Sequence, residues 1–224
     1  MHRFFLPSTE CRGSSIQLDE AESRHAATVL RVQVGEGVTV LDGEGSVFRC
    51  EVIEVRKKSV RLVVRDRESV PPLPYRVTLL QGLPKGKLIE SIVQKATELG
   101  VHRVVPLLTD RVTVQLEGDR LADKAEKWRR VAIEAIKQSG CAWLPRIETP
   151  MTPAEFLGRQ EVFDLPLIAS LQPGRRQARE CFREFAGRVR RNPAYGTIWV
   201  VPEVACPAAN GRWGMCGGVH PRSL

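Results

Sequence analysis

Residues that could do chemistry crowd most densely in QGLPKGKLIESIVQKATELGV, residues 81–101. Gln81, Lys85 and Lys87 follow an apolar run, and Gln94, Lys95 and Glu98 come next on a helical pattern with Gln94 and Glu98 one turn apart. Two cations just beyond a strand suit the phosphate oxygens of a nucleic-acid backbone. The same residues suit a solvated polar face beside a helix start, and their types alone admit both readings. A second stretch, VVPEVACPAANG at 200–211, sets Pro202 and Glu203 directly after a strand-like run. Glu98 and Glu203 are the two candidates for accepting a proton, and each can equally serve as an ion-pair partner for an arginine.

Other chemistries find no pattern. There is no nucleophile elbow, phosphate loop or metal-ligand pair. The six cysteines lack paired C-x-x-C spacing and the density of a secreted scaffold, so reduced thiols are expected. Cys206, Cys216 and His220 are irregularly spaced and lack an evident fourth ligand, so no metal is expected. No apolar run approaches the roughly 18 residues that a membrane helix needs, which predicts no membrane span. The opening MHRFFLPSTECRG has no sustained apolar stretch before a cleavage site, so a cytoplasmic protein is expected.

The elements that must position these residues fall into two rhythms. Up to residue 70 the chain reads as strands and turns: VTVL, the turn DGEGS, VFRCEVIEV and SVRLVV. A helical segment, LDEAESRHAATVLRV, precedes them, with Ala21, His25, Thr28 and Leu30 expected on one face. The break PPLP at 71–74 is taken as a linker. Beyond it, strands and helices alternate, which predicts a largely parallel, helix-covered sheet in an α/β fold. Leu88, Ile92, Val93, Ala96 and Leu99 are expected to form the buried stripe of the first of these helices. Leu121, Ala125, Trp128, Ala132 and Ala135 are expected to do so for the second, and TPAE at 152–155 reads as a capping box. Such sheets bind ligands beyond the carboxyl ends of their strands, so the loops after LIASL and TIWVV are the places to seek a site.

Charge adds a direction. The net charge is +8; residues 1–70 carry 11 basic and 11 acidic residues, and residues 71–224 carry 23 and 15. The whole surplus lies in the second part, which suits a polyanionic partner, although a solvated basic face explains it too. The segment Arg175–Arg191 holds seven arginines against two glutamates and admits the same two readings.

The runs PKGKLIESIVQKATELGVHRVVPLLTDRV, KWRRVAIEAIKQSG and RHAATVLRVQVGEGVTVLDGEG, in this spacing, resemble the bacterial 16S ribosomal RNA uracil-N3 methyltransferase family of the SPOUT superfamily. The resemblance covers roughly residues 1–200. It implies a PUA-like RNA-binding β barrel over 1–70 and a SPOUT methyltransferase domain over 75–201, with a trefoil knot that binds S-adenosylmethionine. It also implies a homodimer acting on 16S ribosomal RNA of the small ribosomal subunit. By motif, it points to Arg24, Arg31, Lys85, Lys87, Lys95 and Arg111 for RNA, and to Leu171, Pro202 and Glu203 for the cofactor. Gln138 and Ser139 fall in the family's polar runs as well. The implied chemistry is attack of uracil N3 on a sulfonium methyl group, which requires an unpaired base that has lost its N3 proton.

From residue 202 the sequence leaves the family pattern. The family follows this strand with a Gly-Pro-Glu-Gly loop, where Val201 and Val204 stand here in place of the glycines. The run VACPAANGRWGMCGGVHPRSL shows no strand or helix periodicity. A shifted reading frame near codon 201 produces such a pattern. The expectation is therefore an aberrant segment at 202–224, an incomplete knot and weak binding of the cofactor. A noncatalytic RNA-binding remnant is the alternative, and an unrelated α/β enzyme with an unseen nucleophile is a third reading.

Overall fold

The computed structural model describes residues 1–86, 88–109, 119–169 and 176–201. Its contacts divide the chain into two compact units, Met1–Pro72 with Ala132–Leu144, and Leu73–Val131 with Pro145–Leu224. The first unit is therefore discontinuous in sequence, since it includes a stretch that the linear division at 71–74 assigns to the second part.

The first unit is a five-stranded sheet in the order β1-β3-β4-β5-β2, with β1 at His2–Phe5, β2 at Ser15–Gln17, β3 at Gly37–Leu41, β4 at Ser46–Arg56 and β5 at Ser59–Ser69. β1 runs parallel to β3, and the other pairings are antiparallel. The DGEGS turn closes because Asp42 Oδ1 accepts from the backbone N–H groups of Glu44 (2.8 Å) and Ser46 (2.9 Å). Phe4, Leu6, Ile16, Leu18, Val38 and Phe48 fill the core. The segment 132–144 closes a second cluster, in which Ile136 packs with Phe5 and Leu41. It is tied in by polar contacts as well: Arg3 Nη1 donates to the carbonyls of Lys137 and Gln138, and Trp143 Nε1 donates to the Val70 carbonyl.

One local expectation is corrected here. Helix α1 spans only Glu20–Arg24, capped by Asp19, and His25–Leu30 continue as a wider π-helical turn. The wider turn rotates the face. Ser23 and Ala26 are the buried residues, while Ala21 and Thr28 are exposed.

The second unit is a five-stranded parallel sheet in the order β8-β7-β6-β10-β9. In chain order its elements are β6 (Arg76–Gly82), α2 (Leu88–Glu98), β7 (Arg103–Leu107), α3 (Asp119–Ser139), β8 (Arg146–Ile147), α4 (Pro153–Gly158), β9 (Leu165–Ile168), α5 (Ala178–Val189) and β10 (Tyr195–Val200). The last turns of α3 belong to the first unit. On one face of the sheet, Leu80, Val105, Leu107 and Trp199 pack with Met151 and with Phe156 of α4. On the other, Leu165 and Leu167 pack with Cys181 and Phe185 of α5.

The buried stripe of α3 falls where its periodicity predicts at Ala125, Trp128, Ala132 and Ala135, while Leu121 in its first turn is only half-buried. α4 begins with the predicted capping box, Thr152 and Glu155 each bonding the other's backbone. For α2 the stripe differs. Ile89, Val93 and Thr97 are buried, whereas Leu88 is 56% and Leu99 77% exposed. Thr97 is accommodated because its hydroxyl donates to the Val93 carbonyl at 2.7 Å, leaving only its methyl to pack.

Candidate functional site

The chain enters the sheet at β6 and steps outward through β7 to β8; it then crosses to β9 and returns inward to β10, beside β6. The switch point of an open parallel sheet is thus the carboxyl edge of β6 and β10. The side chain of Gln81 is buried at that edge, where its amide donates to the carbonyls of Gly82 (2.9 Å) and Val200 (3.5 Å). Two further bonds knit the edge, from Leu83 N–H to the Leu107 carbonyl and from Ala169 N–H to the Trp199 carbonyl. Half-buried Leu83, Leu108, Ile168 and Val201 make its rim apolar. Lys85 is exposed in the loop that leaves it, next to Gly86, whose φ of +72° is a left-handed turn conformation that suits glycine.

Of the other candidates, Lys95 and Glu98 come together, but away from this edge. α2 starts at the carboxyl edge and runs back, so Glu98 lies roughly 15 Å along the helix from its start. There Lys95 Nζ donates to Glu98 Oε2 at 2.8 Å and Gln94 Nε2 donates to Oε1 at 3.0 Å. These bonds, that from Lys95 foremost, hold the Glu98 carboxyl below its ordinary pKa, the wrong direction for a proton acceptor working near neutrality. In the first unit, Arg24 pairs with Glu20 at 2.8 Å on the α1 surface. Arg31 is exposed at the end of the π-helical turn in a left-handed conformation, φ +54°, without an acidic partner among the described residues. Lys87, Arg111, Leu171, Pro202 and Glu203 lie outside the described residues, as do Cys206, Cys216 and His220.

Cysteine nucleophiles find no support. Cys11 and Cys50 are buried free thiols whose pKa burial pushes up to about 12 and about 11, so neither is a thiolate at neutral pH.

The densest polar network is at the opposite, amino-terminal edge of the sheet, and sequence reasoning missed it. Arg103 opens β7 and is buried. It donates to Thr78 Oγ1 (3.1 Å), Glu148 (3.3 Å), both oxygens of Glu161 (3.0 and 2.5 Å) and the Tyr195 hydroxyl (2.8 Å). Arg159 donates to the other oxygen of Glu148 at 2.8 Å. Each nitrogen of the Arg103 guanidinium meets an acceptor within the network, which marks it as a structural clasp joining β6, β7, β10 and the loops around α4. The signal in the sequence was a lone arginine inside the apolar run VHRVVPLL.

A parallel α/β sheet with an apolar carboxyl edge, joined to a mostly antiparallel β unit, is the build of a two-part α/β protein with a ligand edge. Residues 71–198 match the RNA methyltransferase domain family, and residues 18–65 match the RNA methyltransferase PUA domain. The chain belongs to this RNA methyltransferase family. It is 35% identical over 156 residues to ribosomal RNA small subunit methyltransferase E of Synechocystis, covering 70% of this chain and 50% of that protein. It is 31% identical to the Bacillus subtilis protein of the same name, covering 75% of this chain and 68% of that one. The chain thus spans half the length of the first relative and about two thirds of the second. The crystal structure of ribosomal RNA small subunit methyltransferase E from Neisseria gonorrhoeae bound to S-adenosyl methionine superposes with a TM-score of 0.73 at 25% identity, over 89% of this chain and 79% of that one.

Proposed function

We propose that this chain is a methyltransferase for N3 of a uridine in 16S ribosomal RNA of the small ribosomal subunit, with S-adenosylmethionine as methyl donor. The observation that carries the reading is the RNA methyltransferase match over 71–198, laid on a parallel sheet whose switch point lies between β6 and β10. The reading includes the PUA-like barrel, the trefoil knot, the homodimer and a cytoplasmic location. The apolar rim at Leu83, Leu108 and Ile168 suits the adenine of a nucleoside cofactor, and the Gln81 amide anchors the edge beneath it. When bound, the sulfonium supplies an electrophilic methyl group.

The protein's own work is alignment and electrostatics. Lys85, at the mouth of the edge, holds a backbone phosphate and so fixes the register of the strand being read. Lys87 and Arg111 serve as further phosphate contacts, while Arg24 and Arg31 engage RNA from the PUA unit. Loss of the N3 proton leaves an imide anion, which nearby cations stabilise. Glu98 is held by Lys95 and is a poor choice of base, which leaves Glu203 as the candidate.

A second reading, an RNA-binding remnant that does not transfer methyl groups, is favoured by Val201. It packs against the cluster of Leu80, Leu107 and Trp199, at a position where the resemblance expects a glycine that admits a ligand to the backbone. A frame shift near codon 201 belongs to this second reading. One assay separates the two: expression in a strain lacking N3-methyluridine in its 16S ribosomal RNA. Return of the modified nucleoside, seen by mass spectrometry of digested RNA, supports the enzyme. RNA binding without its return, together with no calorimetric heat on titrating S-adenosylmethionine, supports the remnant.

A further inference from the structure

A second concavity lies on the parallel sheet. A cavity of about 410 Å³ opens on the α5 side of β6, β10 and β9. Val77 and Ile198 line its floor, and Tyr75, Arg76, Phe182 and Asn192 surround its mouth. That volume falls in the range of small-molecule sites, roughly 300–1,000 Å³. Its mouth at Tyr75 and Arg76 stands roughly 20 Å along β6 from the carboxyl edge, while its floor reaches Ile198, two residues short of the end of β10. A base held here is not the base that reacts.

Three features define what fits. Tyr75 and Phe182 are 47% and 45% exposed, large aromatic rings left half open at one cavity. Beyond the lining, Arg179 lies one turn before Phe182 on α5 and Arg183 one turn after Arg179; both are exposed and have no acidic partner among the described residues. Their neighbours differ, because Arg176 pairs with Glu184 and Arg191 with Asp164. Asn192 brings an amide that can both donate to and accept from a base edge. An acidic peptide would use the arginines and leave the rings idle, and an apolar helix would do the reverse. A single RNA strand uses both, because phosphates and planar bases alternate along it.

We propose that this cavity is an accessory nucleotide site, in which an unpaired base stacks against the open rings of Tyr75 and Phe182 while Arg179 and Arg183 hold the adjoining phosphates. The choice of RNA over other polyanions rests on the RNA-methyltransferase reading above. The site holds a flanking stretch of the substrate strand in place while the reacting uridine sits at the carboxyl edge.

The test is fluorescence anisotropy of a labelled twelve-nucleotide oligouridine with the full chain, across a range of potassium chloride concentrations. Phe182→Ala is expected to weaken binding roughly 5- to 150-fold, the size of one base–aromatic stack, and Phe182→Tyr to keep the wild-type affinity. Replacing Arg179 and Arg183 together by Gln is expected to flatten the salt slope by about 1.4, or about 0.7 for each phosphate contact. If wild type binds and Phe182→Ala, still folded by circular dichroism, binds within twofold of it, the site is refuted and the RNA reading stands. No RNA binding by the wild-type chain sinks both. If Phe182→Ala abolishes self-association without moving RNA affinity, the cavity belongs to a protein contact and the proposal fails.

Discussion

Asp164 accepts four hydrogen bonds, from Arg191 Nη1 (2.9 Å) and Nη2 (2.7 Å) and from the backbone N–H groups of Ala194 (2.8 Å) and Tyr195 (3.1 Å). The Arg191 pair foremost, then the backbone donors, hold its carboxyl well below the ordinary range. A carboxyl whose pKa is depressed by folding contributes fully above its unfolded pKa of about 3.9, and the contribution is lost as pH falls through the lower folded value. Asp164→Asn is therefore expected to cost about 1.5–3 kcal/mol at neutral pH. The gap to wild type should narrow below about pH 4. Urea unfolding from pH 3 to 7 measures this, and a gap independent of pH would contradict it. At this scale the sequence was partly legible. The Lys85 loop and the Gln94–Lys95–Glu98 group are local patterns, and they stand on a strand–loop–helix unit as read. The Arg103 clasp joins residues up to 117 positions apart, and no local spacing announces it.

At the scale of elements, periodicity works where one face of a helix is apolar and the other is not. In α3 Ala125, Trp128, Ala132, Ala135 and Ile136 fall together on one face, and that face is buried. In α2 the apolar residues occupy one broad arc, with Leu88 and Leu99 at the edge away from Ile89, Val93 and Thr97, and the choice of stripe within that arc is made by the sheet rather than by the helix. Thr97 looked polar in the sequence because its intrahelical bond is invisible there. Truncation separates the two stripes: Ile89→Ala is expected to cost about 2–5 kcal/mol, and Leu99→Ala to stay within about 0.5 kcal/mol of wild type. Chemical denaturation of both variants decides it, and equal losses would restore the stripe expected from the sequence. β1 and β2 escaped the sequence reading because four- and three-residue strands are too short to display alternation.

For the whole molecule, the two rhythms of the chain correspond to two sheets, but the linear boundary at 71–74 does not enclose everything that the first unit contains. Ile136 fills the cluster of Phe5 and Leu41, and Lys137 Nζ reaches Glu22 Oε1 at 2.8 Å while only 7% of its side chain is exposed. Residues 1–72 expressed alone leave that cluster open and Glu22 without its cation. The fragment is expected to unfold without a cooperative thermal transition, and to gain one when a peptide of residues 132–144 is added. Circular dichroism melts with and without the peptide measure this, and a cooperative melt of the lone fragment would contradict it. Gly45 reinforces the dependence, since at φ +99° an added Cβ would meet the Trp143 ring at 2.5 Å. This interleaving bears on inheritance. A recombination event that exchanged everything beyond PPLP for the corresponding part of a distant relative would also replace the thirteen residues on which the first seventy depend. The two units must change together, although the chain reads as though they could be traded.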